Sequence, residues 1–238
     1  MKILKESIAG LPKIAELSDE LKNFLKIPKV QEAFINSDIN YLLYCANKYN
    51  IVISELMQLL YSLDIDVLKY LNYVPNDFLS GTKVSYVEIP DNIKEIGSSA
   101  FAGCQDLKTI IIPDSVTSIG HSAFWGCNIL ENITIPDSVI NIGDSTFRDC
   151  YSLTSITIPD RVTSIIGHNF FGCSSLTDVT IGKGVTSIGY ATFRHCEILT
   201  SINYTGTKNQ WAKIQLGDKW NKDSAIQTIH CTDGDITL

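Results

Sequence analysis

The chain has no excess of basic residues. Its 238 residues carry 19 Lys+Arg against 26 Asp+Glu, a formal charge of -7. That balance suits solubility but repels phosphate backbones and anionic lipid, so nucleic acid is not the expected partner. Long apolar runs are also missing. The opening Met1-Lys2-Ile3-Leu4-Lys5-Glu6 holds no stretch of the length a secretory leader needs, and nothing approaches the ~18 residues of a membrane span. These absences point to a soluble, cytoplasmic protein with no membrane insertion; a surface or secreted protein whose leader lies outside these residues is the alternative.

Signatures of chemistry are equally scarce. There are seven cysteines but no C-x-x-C pair, so the close spacing that brings thiolates together on zinc is lacking. An odd number argues against a complete disulfide framework, and free thiols fit a reducing compartment. No G-x-S-x-G, H-E-x-x-H or paired-carboxylate motif occurs, and Gly182-Lys183-Gly184 lacks the order of a phosphate loop. His121, His168 and His195 fall in loop slots where other repeats carry other residues, which describes solvated turn histidines. No enzyme, no metal and no cofactor is expected, and no catalytic residue is assigned.

What the chain does have is a repeat. Cys104, Cys127, Cys150, Cys173 and Cys196 follow one another at intervals of 23 residues. Phe101, Phe124, Phe147, Phe170 and Phe193 keep the same step, as do Leu107, Leu130, Leu153, Leu176 and Leu199, and Ile89, Ile112, Ile135, Ile158 and Ile181. Five units fill 89–203, with a partial one opening at Val84. A period in the twenties describes a coil that cannot bury its apolar side chains alone and must stack on its neighbours. Segments such as Leu130-Glu131-Asn132-Ile133-Thr134-Ile135 alternate apolar and polar, as short strands do, and the proline that follows ends them. The five spaced cysteines then form a buried column.

The elements A-F-x-G-C, S-V-T-S-I-G and I-x-I-P-D, in step over about residues 84–231, resemble BspA-like bacterial leucine-rich repeats. The tail from Tyr204-Thr205-Gly206-Thr207 through Trp211 and Trp220 to Gly234 is similar to that family's C-terminal segment. The resemblance implies binding through the sheet face, with many members at cell surfaces and associated with adhesion. Independently, Thr207 with Gln210 three residues later is a capping-box signature, so a short helix is expected to carry Trp211 over the end of the sheet.

Residues 1–80 lack the repeat register and read as short helices broken at Gly10-Leu11-Pro12, Ile27-Pro28, Asn50 and Val74-Pro75, with Ser18 and Asp38 as N-caps. Ile39 to Cys45 and Ile53 to Tyr70 carry apolar residues at helical spacings. The expected fold class is α+β: a leucine-rich-repeat solenoid with a short-stranded parallel sheet, preceded by a small all-α N-terminal module. Its expected parts are a helical module or cap over 1–80, the solenoid over 81–203 and a C-terminal cap over 204–238.

A protein or peptide partner of unknown identity is expected, and oligomeric state is left open. Strand alternation puts Tyr86, Glu88, Thr109, Ile111, Asn132, Thr134, Ser155, Thr157, Asp178, Thr180, Ser201 and Asn203 on the concave face. Six strands at ~4.8 Å and about three exposed residues each make a patch of roughly 240 Å², short of the ~800 Å² a stable interface takes from each partner. A tight partner therefore needs flanks as well, and Trp125, Arg148, Phe171 and Arg194 share the loop slot beside the face. The role expected is an intracellular adaptor, effector or inhibitor using this face, its flanks and the N-terminal helices; surface or secreted adhesion is the alternative.

Overall fold

The computed structural model describes residues 19–35, 42, 45, 46, 48, 56, 60, 68 and 71–238. The chain divides into two compact units, Met1–Tyr70 and Leu71–Leu238. In the first, helix α1 spans Asp19–Phe24 and buries Leu21 and Phe24, with Asp19 and Glu20 in its first turn, where carboxylates suit the helix dipole. Helix α2, Pro28–Ile35, opens on a proline, a residue that costs nothing at a first helical position because its missing N–H has no partner there. The expected break at Ile27-Pro28 is thus present. Leu42, Cys45, Ala46, Leu56 and Leu60 are helical and buried. The caps at Ser18 and Asp38, the breaks at Gly10-Leu11-Pro12 and Asn50, and most of the Ile53 to Tyr70 run lie outside the described residues.

The second unit is a solenoid. Its strands are β1 Tyr73–Val74, β2 Tyr86–Glu88, β3 Glu95–Ile96, β4 Thr109–Ile111, β5 Ser118–Ile119, β6 Asn141–Ile142, β7 Ser155–Ile158, β8 Ser164–Ile165, β9 Asp178–Ile181, β10 Ser187–Ile188, β11 Ser201–Tyr204, β12 Gln215–Leu216, β13 Thr228–Cys231 and β14 Gly234–Thr237. One ladder stacks β2 on β4 and β7 on β9, β11 and β13; the other stacks β1, β3, β5 and β6, then β8, β10 and β12. All pairs are parallel except β13 with β14, an antiparallel hairpin that closes the C-terminal edge. Partners lie about one repeat apart, as in Ser155↔Asp178 and Ile156↔Val179.

Three features depart from the sequence reading. The coils carry a second strand, built from the residue pair that ends in isoleucine before the glycine slot, as in Ser118-Ile119 and Asn141-Ile142, and two residues are too short to show an alternation. Val74-Pro75, read as a break between helices, sits at β1, which pairs with β3 through Tyr73↔Glu95, so residues 71–80 belong to the solenoid unit. Finally, Leu130 to Ile135 keeps its alternating burial but forms only one bridge, Asn132↔Ser155, where a strand was expected. There the Asn132 carboxamide oxygen accepts from the hydroxyls of Thr154 and Ser155, both at 3.2 Å.

The second ladder is interrupted at the coil whose glycine is displaced. A Cβ on Gly120, Gly143 or Gly189 would lie 2.4–2.6 Å from backbone nitrogen of the preceding coil, so these positions admit no side chain. In the coil that opens at Ile158, Ile166 occupies the glycine slot, Gly167 follows it, and Ile166 turns outward to 47% exposure. The break falls there, between β6 and β8.

Inside, the side chains form columns. Phe101, Phe124, Phe147, Phe170 and Phe193 are fully buried and stack at centroid distances of 5.3–5.7 Å with rings within 9° of parallel. Edge-on rings close this ladder at both ends, Phe78 at 6.2 Å from Phe101 and Trp220 at 6.3 Å from Phe193. The capping box forms as expected: Thr207 Oγ1 accepts from Gln210 N at 3.3 Å, Gln210 Oε1 accepts from Thr207 N at 2.9 Å, and helix α3, Lys208–Trp211, sets buried Trp211 against Trp220.

Each coil also turns through a left-handed residue after the phenylalanine. Gly126 has φ 69°, and a Cβ there would meet nothing closer than 3.8 Å. Gly126→Ala therefore adds conformational strain without a clash. It should destabilise the solenoid by about 1–2 kcal/mol, read as an earlier midpoint in urea unfolding; an unchanged midpoint would contradict this.

Candidate binding surface

All twelve of the expected face residues point away from the core, and the residues between them are buried: Val87, Ile110, Ile133, Ile156, Val179 and Ile202. The exposed large hydrophobic groups among these twelve are at the N-terminal end, Tyr86 at 49% and Ile111 at 46% exposure. The Tyr86 hydroxyl donates to Glu88 Oε2 at 3.0 Å, and this carboxylate raises the phenol's pKa. Farther along, Asn203 Nδ2 donates to Asp178 Oδ1 at 3.2 Å. Ser155, Thr180 and Ser201 are half-buried and the rest exposed.

The loop slot expected to flank the face holds Trp125, Arg148, Phe171 and Arg194 on successive coils. Trp125 is 48% exposed, whereas Phe171 is half-buried. The indole Nε1 of Trp125 donates to Asp149 Oδ2 at 3.1 Å, and the same oxygen accepts from Arg148 Nε at 3.3 Å. The Arg148 Cζ lies 4.7 Å from the centroid of the Phe171 ring and the Arg194 Cζ 5.9 Å from it. Arg194 Nε donates to Asp223 Oδ2 at 3.0 Å, which holds the Asp223 carboxyl below its ordinary range. His195 meets Phe171 edge-on at 5.2 Å, and His168 lies 5.9 Å from it and 5.2 Å from Tyr190. The slot is thus a continuous strip of aromatic rings and guanidinium groups.

Several members of this strip escape a reading by columns. Asp149 has φ 57° and His195 φ 61°, in the left-handed slot that Gly103, Gly126 and Gly172 fill elsewhere. Their departure from A-F-x-G-C was the available signal, because a non-glycine held there needs a reason beyond backbone geometry. Ile129, Tyr151 and Ile198 are 42–50% exposed in the loop after the cysteine, where no repeat column marks them. Of the turn histidines, His121 places Nδ1 3.6 Å from Asp144 Oδ2 and His168 places Nδ1 4.0 Å from Asp144 Oδ1. Among the described residues no group of three His, Cys, Asp or Glu is arranged to hold a metal, and no helix is long and apolar enough to cross a membrane. Gly182-Lys183-Gly184 is a repeat variant, tied back to Asp160 through Lys183 N at 3.0 Å.

Residues 72–208 match the BspA type leucine rich repeat region in six copies. A search of curated proteins finds no significant match. Among solved structures, the solenoid is similar to the Treponema pallidum leucine-rich repeat protein at 28% identity and TM-score 0.56, over 62% of this chain and 67% of that one. It is also similar to a leucine-rich cell surface protein from Faecalibacterium prausnitzii A2-165 at 35% identity and TM-score 0.54, over 56% of this chain and 35% of that one. A leucine-rich repeat protein from Eubacterium ventriosum shares the fold at 22% identity and TM-score 0.55, over 69% of this chain and 51% of that one. The chain thus spans about a third and about half of the latter two proteins.

Proposed function

Because the chain belongs to the BspA-type leucine-rich repeat family, we propose that it is a non-catalytic protein-binding module, acting as an intracellular adaptor, effector or inhibitor. The observation that carries this reading is the exposure of Tyr86 and Ile111 on the strand face and of Trp125 in the loop slot, on a scaffold whose Phe, Cys and Leu columns are buried. Large apolar and aromatic groups held rigidly at a surface are the kind that dominate interface energies. The strand face is too small to hold a protein tightly alone, so the flank completes it, and the N-terminal helices are proposed to contribute further contacts.

Affinity capture with the full chain as bait tests the reading. A protein retained by the wild type should be lost, by at least about tenfold in yield, from the Ile111→Lys bait and from the Trp125→Ala bait, since each removes more than about 1.4 kcal/mol at an anchor. Retention that is indifferent to both substitutions would sink it.

The Faecalibacterium relative supports a second reading, recognition at a cell surface, since that protein is described as a leucine-rich cell surface protein. Proteinase treatment of intact source cells separates the two: loss of the chain favours surface recognition, and protection until lysis favours the intracellular role.

A further inference from the structure

We propose that the strip Arg148, Phe171 and Arg194 is a clamp for the carboxylates of an acidic peptide segment; this names the partner chemistry of the flank and rests on the binding reading above. The chain has three arginines, and two of them stand on either side of one ring. Each is held by its Nε, on Asp149 and on Asp223, and among the described residues no other hydrogen bond engages either guanidinium. Both therefore keep their paired Nη donors for a ligand. That planar fork matches a carboxylate through two parallel hydrogen bonds, which a lysine does not reproduce. Phe171 is fixed beneath them by the edge-on His195 ring, so the guanidinium groups stand on a rigid floor.

Spacing and charge narrow the ligand. The two arginines are two coils apart, roughly 10 Å at ~4.8 Å per coil, and in a peptide of polyproline II conformation, with three residues per turn at ~3.1 Å each, residues three apart return to the same face about 9 Å on. A nucleic acid is disfavoured because a formal charge of -7 repels a polyphosphate over the rest of the surface. A peptide with a few carboxylates meets that repulsion only in part, and Trp125 adds an exposed apolar contact one coil from Arg148.

The experiment is a binding titration of the full chain with a labelled peptide of repeating Glu-Ala-Ala, against its Gln-Ala-Ala analogue. The Glu peptide should bind, with affinity falling as salt rises, and the Gln analogue should bind at least about tenfold more weakly. The R148K/R194K double variant, which keeps both charges, should also lose at least about tenfold, while R161Q, at the exposed arginine outside the strip, should bind as wild type. Equal binding of the two peptides to the wild type overturns the clamp, whatever the variant does to folding. Undiminished binding by a folded R148K/R194K chain overturns it too. A captured partner that survives R148K/R194K but is lost with Ile111→Lys would remove the clamp and leave the binding reading standing; loss of neither would remove the reading itself.

Discussion

Phe147→Ala is expected to lower the unfolding free energy by about 3–5 kcal/mol, the range for deleting a fully buried aromatic side chain. The ring has no exposed surface and is stacked on both sides, 5.6 Å from Phe124 and 5.7 Å from Phe170. Its removal opens a void that neither neighbour can fill, because each is itself held in register by its own coil. The position in the array matters as much as the ring. A solenoid is held by contacts between adjacent repeats, so a weak interface in the middle separates the coils before it from those after it. Urea unfolding should therefore show a lower midpoint and also a shallower or split transition. Tyr151→Ala, at a residue 48% exposed in the same coil, should stay within about 0.5 kcal/mol of wild type. If Phe147→Ala unfolds as late and as steeply as Tyr151→Ala, the stacked ladder is not what holds the coils together.

The second large effect concerns the thiols. Cys104, Cys127, Cys150, Cys173 and Cys196 are fully buried, and each donates to a backbone carbonyl of the preceding coil, for example Cys150 Sγ to Phe124 O at 3.2 Å. Burial penalises the thiolate and pushes Cys150 and Cys196 up to about 12, with the other three also raised. The thiolate is the reactive species, so these groups should be inert in the native protein. With an aromatic disulfide reagent at about pH 8, one thiol should react promptly, the half-exposed Cys231, and all seven only in concentrated guanidinium. Four or more prompt thiols in the folded chain would show that the column opens readily. The same shifts set a pH limit. The unfolded chain releases these protons near the ordinary thiol value, whereas the folded chain keeps them up to about 12 for Cys150 and Cys196. The folded state then binds more protons, and stability falls as pH rises from about 9 towards 12 by roughly 1.4 kcal/mol per pH unit for each such thiol. The melting temperature should therefore be level below about pH 8 and drop steeply above about pH 9.

How much of this is legible without coordinates follows from what each feature depends on. The coil period, the columns of Phe, Cys, Leu and Ile, the in-and-out alternation that exposes Tyr86 and buries Val87, and the Thr207 capping box are all readable from residue identity and spacing. They are decided by a residue's slot within its own repeat, or by the same slot one repeat away. The second ladder was not readable, because a pair of residues such as Ser118-Ile119 carries no period, and neither was the start of the solenoid at residue 71, where Phe78 keeps the phenylalanine step but Gly81 stands in the cysteine slot. Nor was the reduction of the Asn132 strand to a single bridge. The strip shows the division most plainly. Its members share one slot, yet whether Phe171 is exposed or half-covered depends on Arg148 and Arg194 lying over it from the coils on either side, and their reach depends on Asp149 and Asp223 holding each Nε. Long side chains have several rotamers of similar energy, and only the groups brought up against them by stacking choose among these; that choice belongs to the tertiary structure.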